Sequence, residues 1–196
     1  MTDFPVPAPQ RLFDVALRKG VVLDVRPFPL AACTAEAAAS ALRVQAGQIV
    51  RTLVFVADRS QYRTIPIVCL VSGDDQVDVK LLAAVTGESV LRQAATYELR
   101  DLMGQAGSCT PPFGHGRDVR TVMDQELCNF EWVWVPIGSG PGVLRVEPRT
   151  LRMLANANVA PVTRGPRVLD LRPSVAETAL QFEASSATGL SGFART

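Results

Sequence analysis

Residues 104–116, Gly-Gln-Ala-Gly-Ser-Cys-Thr-Pro-Pro-Phe-Gly-His-Gly, hold four glycines, two prolines and the chain's one histidine. No helix or central strand tolerates that mixture: proline removes a backbone donor and fixes φ, while glycine populates backbone angles that other residues avoid. The stretch must be a long loop between two apolar-patterned segments. Two readings fit it, an ordered loop beside a functional site or a structural Ω-type loop.

The rest of the chain reads as the scaffold that holds this loop. Leu12, Val15 and Ala16 recur at helical spacing over 9–19, and Gly20 is a stop. The β-branched run 21–25 reads as a strand, broken at Arg26-Pro27-Phe28-Pro29. Thr34 is the N-cap of an alanine-rich helix over 35–42, with Glu36 in the first turn, where the helix dipole favours an acid.

Residues 49–56 form the strongest strand pattern, interrupted by one long cation, Arg51. A second strand, 64–71, follows a polar turn, and Pro66 places it near an edge or a bulge. Helices are expected over 78–85, ended by Gly87, and after Thr96, where Leu99, Leu102 and Met103 share a face. Strands are expected over 89–93, 119–123, 130–137, 143–146 and 159–162. Gly73-Asp74 and 138–142 read as hairpin turns, and Pro148 opens a helix through Leu151 and Leu154. Trp132 and Trp134 fall on one face of their strand; sheet packing is the favoured reading, with base-stacking platforms as the alternative. Strands outnumber helices and do not alternate regularly with them, which predicts an α+β domain with a mixed, curved, barrel-like sheet flanked by short helices. The domain is expected over 1–163, with 164–196 as a C-terminal appendage.

Bulk properties exclude some functions. A net charge of +1 argues against a protein that coats DNA or RNA by charge alone. No apolar run approaches the ~18 residues of a membrane span, and the first residues lack a signal-peptide pattern, so the expected compartment is the cytoplasm. Cys33, Cys69, Cys109 and Cys128 include no C-x-x-C pair; with one histidine, free thiols are expected and a metal site is not.

The chemistry-bearing residues carry alternatives. Arg51 is either a strand-edge cation with a packed stem or a group that positions an anionic or carbonyl ligand. Cys109 and Ser108 invite a nucleophile, for which His115 is the one imidazole available as base; the favoured readings are a pocket-lining role for Cys109 and, for His115, a plain loop residue or an RNA contact. Asp124 closes a strand, and either binds a substrate amino group or caps the turn at 125–127. Thr34, Gly73 and Gly138 read first as cap and turns, with a place in a pocket wall as the alternative.

Taken in order, Thr34-Ala35-Glu36-Ala37-Ala38, Gly47-Gln48-Ile49-Val50-Arg51-Thr52-Leu53-Val54-Phe55, Val71-Ser72-Gly73-Asp74, Val77-Asp78, Gly107-x-x-x-Pro111, Asp124 and the 138–142 turn resemble the YbaK / prolyl-tRNA synthetase-associated domain family over roughly residues 31–162. The resemblance implies a freestanding or synthetase-fused deacylase that hydrolyses mischarged aminoacyl-tRNA, and a pocket for the aminoacylated 3′ end. It needs neither metal nor organic cofactor. It implies that Gly107, Ser108, Cys109, Thr110 and Pro111 form the catalytic loop, whose backbone N–H groups stabilise the ester oxyanion. It matches Arg51 to a basic strand residue that is usually Lys in the family. Arginine stays protonated and cannot be a general base, so its role is electrostatic. With little basic surface, such an enzyme would call on a synthetase or elongation factor to hold the tRNA. The departure at Arg51 favours the rival reading, a catalytically silent aminoacyl-tRNA or nucleotide-binding module; a thiol-dependent esterase using Cys109 is the second rival.

Overall fold

Capping chemistry places the helices in this computed structural model, which describes residues 8–28, 34–60, 63–73, 75–103, 110–115, 119–137 and 142–164. Helix α1 (Ala8–Arg18) buries Leu12 and Ala16 and turns Phe13 and Leu17 outward. Helix α2 (Ala35–Leu42) starts where the Thr34 hydroxyl accepts the Ala37 N–H at 3.2 Å. Helix α3 (Val79–Thr86) starts where the Asp78 carboxylate accepts the Lys80 N–H at 2.9 Å, and it stops at left-handed Gly87. Such caps contribute about 1 kcal/mol each. Helix α4 (Thr96–Met103) includes Thr96 in its first turn; its entry is held instead by Glu98, which accepts the Ala95 N–H. Helix α5 (Pro148–Ala155) opens on proline, whose missing N–H has no partner to lose there.

Among the described residues, eight strands make two sheets: β1 (Asp24–Pro27), β2 (Val50–Ser60), β3 (Arg63–Ser72), β4 (Arg92–Gln93), β5 (Arg120–Asp124), β6 (Val133–Pro136), β7 (Gly142–Val146) and β8 (Asn158–Ala160). One sheet has the order β1-β7-β6, the other β4-β2-β3-β5-β8. Strands β2 and β3 are an antiparallel hairpin, while β3, β5 and β8 run parallel. The expected mixed α+β class holds. The sheet, expected to be barrel-like, is not closed into a barrel: among the described residues one parallel bridge, Ile49 to Trp134, joins the two sheets at one corner.

Three further expectations are corrected. Strand β3 is the third of five, not an edge, but the bulge is there: the β2–β3 register shifts between Asp58 and Ser60, close to the Val56–Pro66 pair. Pro66 is tolerated because β5 pairs only from Ile67 onward, so the side of Pro66 away from β2 meets no strand. The run 21–25 is mostly loop, since β1 begins at Asp24; Val21 and Leu23 are apolar because they pack on the core. Gly73 makes no hairpin; it turns the chain from β3 towards α3.

Side chains alternate across the five-stranded sheet. Val50, Val54, Val68, Leu70 and Met123 face a core shared with the three-stranded sheet, α1 and α5. Phe55, Ile67, Cys69, Val71 and Val122 face the opposite way, under Leu82 of α3. A third cluster joins Ala35, Ala38 and Ala39 of α2 to Ile49, Trp134 and Val143. Glu88 accepts from Arg59 at 2.7 and 3.1 Å and meets Arg120 at 3.4 Å, which lashes the end of β2, the exit of α3 and the start of β5 together. These residues belong to one compact unit, Met1–Pro166. No helix among the described residues is long and apolar enough to cross a membrane.

Candidate functional site

The parallel strands β3, β5 and β8 end at Ser72, Asp124 and Ala160, beside the start of β2 at Val50. The carboxyl ends of parallel strands are where open α/β sheets bind ligands, and Arg51 stands there. It alternates with Val50 and Thr52, so it shares a face with Ile49 and Leu53. Ile49 belongs to the cluster under α2, and Leu53 packs on the cluster under α3. Arg51 therefore fills the gap between two apolar clusters. Its Nη2 donates to the Asp75 carbonyl at 2.7 Å, and its buried Nε has no partner among the described residues. A guanidinium held on one side with an unmet donor is the kind of group that can bind an anion or a carbonyl oxygen.

Glycines bring the chain close enough to build this corner. The Gly73 N–H donates to the Ile49 carbonyl at 2.8 Å, at φ +46°, and a Cβ there would sit 2.9 Å from the Ala46 carbonyl oxygen. Ser72 donates its hydroxyl to the Gly47 carbonyl. A Cβ on Gly47 would meet the Phe130 ring at 2.8 Å. Gly73→Ala would therefore combine a left-handed backbone with a backbone clash. The expected result is a loss of roughly 2 kcal/mol in denaturant unfolding, with Arg51 displaced along with the turn.

Carboxylates surround the same corner. Partial burial holds Asp75 above the usual carboxylate range, with the charges of Asp124 and Glu126 adding and Arg51 opposing. Asp124 itself is fully buried. Its Oδ1 accepts the Val162 N–H at 3.0 Å and its Oδ2 the Thr163 hydroxyl at 2.8 Å. It makes no capping bond to the turn after β5, so its carboxylate ties down the exit of β8 instead. Burial first, and then the charge of Asp124, pushes the Cys69 thiol up to about 12, which leaves that sulfur inert.

From the described part of the long loop, Phe113 and Gly114 turn towards α1. Thr110 and Pro111 are buried, and Phe113 joins the core shared with α1. Gly114, at φ +79°, comes so close to α1 that a Cβ would lie 3.0 Å from the Leu12 nitrogen. Neither ring nitrogen of His115 makes a well-formed hydrogen bond; burial lowers its pKa to about 4, and the nearby Pro112 carbonyl only partly offsets this.

A His115 pKa near 4 makes a pH prediction. The unfolded chain takes up a proton near pH 6.5, and the folded chain does so only near pH 4. Stability therefore falls as pH drops through that window, by about 2 kcal/mol between pH 7 and pH 5. Urea unfolding of His115→Phe should show a shallower pH dependence than the wild type by that amount.

Thr34 is exposed and caps α2, whose buried alanines cover Ile49 and Trp134. The structure thus gathers Arg51, Gly73, Asp124 and the unforeseen Asp75, Ser72 and Gly47 at one corner. Gly107, Ser108, Cys109 and Gly138 lie outside the described residues. A neutral imidazole with so low a pKa is a poor proton acceptor, which counts against a Cys109–His115 pair. Asp75 was missed because its role passes through its carbonyl, which any residue type supplies.

The pattern of the family described as "Aminoacyl-tRNA editing domain" matches residues 31–154, more than half of the chain. The chain belongs to that family, a class of enzymes acting on aminoacyl-tRNA. It is similar to EbsC of Enterococcus faecalis, provisionally named a Cys-tRNA(Pro)/Cys-tRNA(Cys) deacylase, with 25% identity over 130 residues covering 66% of this chain and 77% of that protein. It is also similar to a proline–tRNA ligase of Limosilactobacillus fermentum, 29% identical over 94 residues, which are 48% of this chain and 16% of the ligase. A crystal structure provisionally described as a trans-editing enzyme for prolyl tRNA synthetase superposes with a TM-score of 0.71 at 31% identity, covering 83% of this chain and all of that one.

Proposed function

We propose that this chain is a trans-editing deacylase that hydrolyses the ester between a small mischarged amino acid and the tRNA 3′ end. The observation that carries the reading is the Arg51 corner, a fixed cation with a spare donor inside the matched family region. Water attacks the ester carbonyl, a tetrahedral oxyanion forms, and the carbon–oxygen bond breaks. The ribose hydroxyl leaves with a proton and the amino acid is freed as its carboxylate. Arg51 holds the RNA end or polarises the carbonyl, and backbone N–H groups of residues 107–110, ahead of Pro111, meet the oxyanion. Since Arg51 stays charged, it takes no proton; the water's proton passes to the substrate's own ribose hydroxyl or to bulk water. Likeness to part of a proline–tRNA ligase supports a synthetase as partner, and the cytoplasm as the place of work.

The test is deacylation of a panel of mischarged tRNAs, small amino acids first. Turnover of one or two small species supports the reading. Binding without turnover of any species would instead support the silent binding module, which the arginine in place of the family's usual lysine favours.

A further inference from the structure

Resting on that reading, we infer that Trp132 and Arg145 form a stacking platform for an unpaired base of the tRNA 3′ strand. In the three-stranded sheet, Val133, Val135, Leu144 and Val146 face the main core. The alternate residues face the other way, with Trp134 directly opposite Arg145 and Asp24 on the far side of Arg145. Helix α2 covers the middle of that outer face, over Trp134 and Val143. Across that face runs a ladder of rings and cations, of which the Trp132 end stays open. The Arg145 guanidinium lies 4.0 Å from the Trp132 ring centre, and that of Arg26 lies 5.4 Å from Trp134. Asp24 anchors both cations, at 3.2 Å from Arg26 and 3.9 Å from Arg145.

The two rungs differ in a way that points to a ligand. Trp134 is 7% exposed and serves as packing. Trp132 is only half-buried, and its indole N–H goes to the exposed Glu131 carboxylate rather than into the core. The Arg145 side chain keeps 30% of its surface. A flat guanidinium on a flat indole presents a surface on which a nucleobase continues the stack, as single-strand RNA readers do. The location fits. The Ile49–Trp134 bridge sets the ladder beside β2 on the face that carries Arg51, and Gln48, three residues before Arg51, donates to the Trp132 carbonyl at 3.0 Å. Trp132 and Arg51 are thus roughly 10–15 Å apart along the strand direction, a distance that a short single strand spans. Stacking also suits a chain whose net charge of +1 supplies little overall attraction for phosphates.

The experiment measures kcat and KM for deacylation together with tryptophan fluorescence. Trp132→Leu and Arg145→Ala should each raise KM roughly tenfold, the share of one stacked base, with kcat within twofold. Trp132→Phe, which still stacks, should keep KM within threefold. Uncharged tRNA and a CCA trinucleotide should quench the emission of wild type and leave that of Trp132→Phe unchanged. Unchanged KM in both Trp132→Leu and Arg145→Ala, or no quenching of wild type by either RNA, overturns the platform. Should Trp132→Leu fail to fold, Arg145→Ala and the quench decide. Should wild type deacylate nothing, the editing reading falls and the quench alone judges the platform, upholding it if seen and overturning it if not.

Discussion

Arg51→Ala lowers kcat/KM for deacylation by about 100-fold, while Arg51→Lys stays within about tenfold of wild type. Removing one preorganised donor from a site of developing negative charge costs about 10²–10³ in kcat, and a lysine still supplies the charge although it loses the fork. Thermal stability changes little in the alanine variant. The side chain gives up one hydrogen bond, to the Asp75 carbonyl, and at the same time removes a buried donor that has no partner among the described residues. The separation of the two effects is the informative part. A group that merely packed between two clusters would lower the melting temperature and leave turnover alone. Full activity in Arg51→Ala would remove Arg51 from the site.

Asp124→Ala behaves in the opposite way. Its carboxylate takes two hydrogen bonds in full burial, from the Val162 N–H and the Thr163 hydroxyl. Bonds to a charged acceptor are worth about 1.5–3 kcal/mol each, and both donors would be stranded. The expected loss is about 3–5 kcal/mol, or a fall in melting temperature on the order of 10 °C for a chain of this size. Asp124→Asn, which keeps one acceptor, should lose less. The deficit belongs in stability and not in KM. A raised KM at unchanged stability would return Asp124 to the role of holding the substrate amino group. Losing the Asp124 charge should also move the Asp75 carboxyl back towards its ordinary range, since that charge is the second cause of its elevation.

The helices were legible because their ends are written in local chemistry. Thr34, Asp78, Gly87 and Pro148 act within a few residues of themselves, and each does in the fold what its residue type favours. The hairpin of β2 and β3 was legible for the same reason. The parallel pairing of β3, β5 and β8 was not, because it joins segments some 50 and 36 residues apart in the register Ile67–Arg120 and Val122–Asn158 with no signal in either partner. Val21 and Leu23 misled because a β-branched run reports burial, and burial does not require a strand partner. Gly73 misled because positive φ fits several turns; its close approach to Ala46 depends on a residue far upstream. Arg51 stood out as a charge in an apolar run, yet nothing local announced that a carbonyl 24 residues on would hold it.

The Asp124 clamp also sets an order of completion during synthesis. The β2–β3 hairpin and the grip on Arg51 need nothing beyond residue 75, so that half of the corner can form while the chain is still short. The other half waits for β8 and for Val162 and Thr163, among the last described residues to be made. Until they arrive, β5 is an open edge and Asp124 lacks both of its partners, a state exposed to mispairing and to proteases. A ribosome that stalls before residue 158 leaves the sheet without β8 and Asp124 without its clamp.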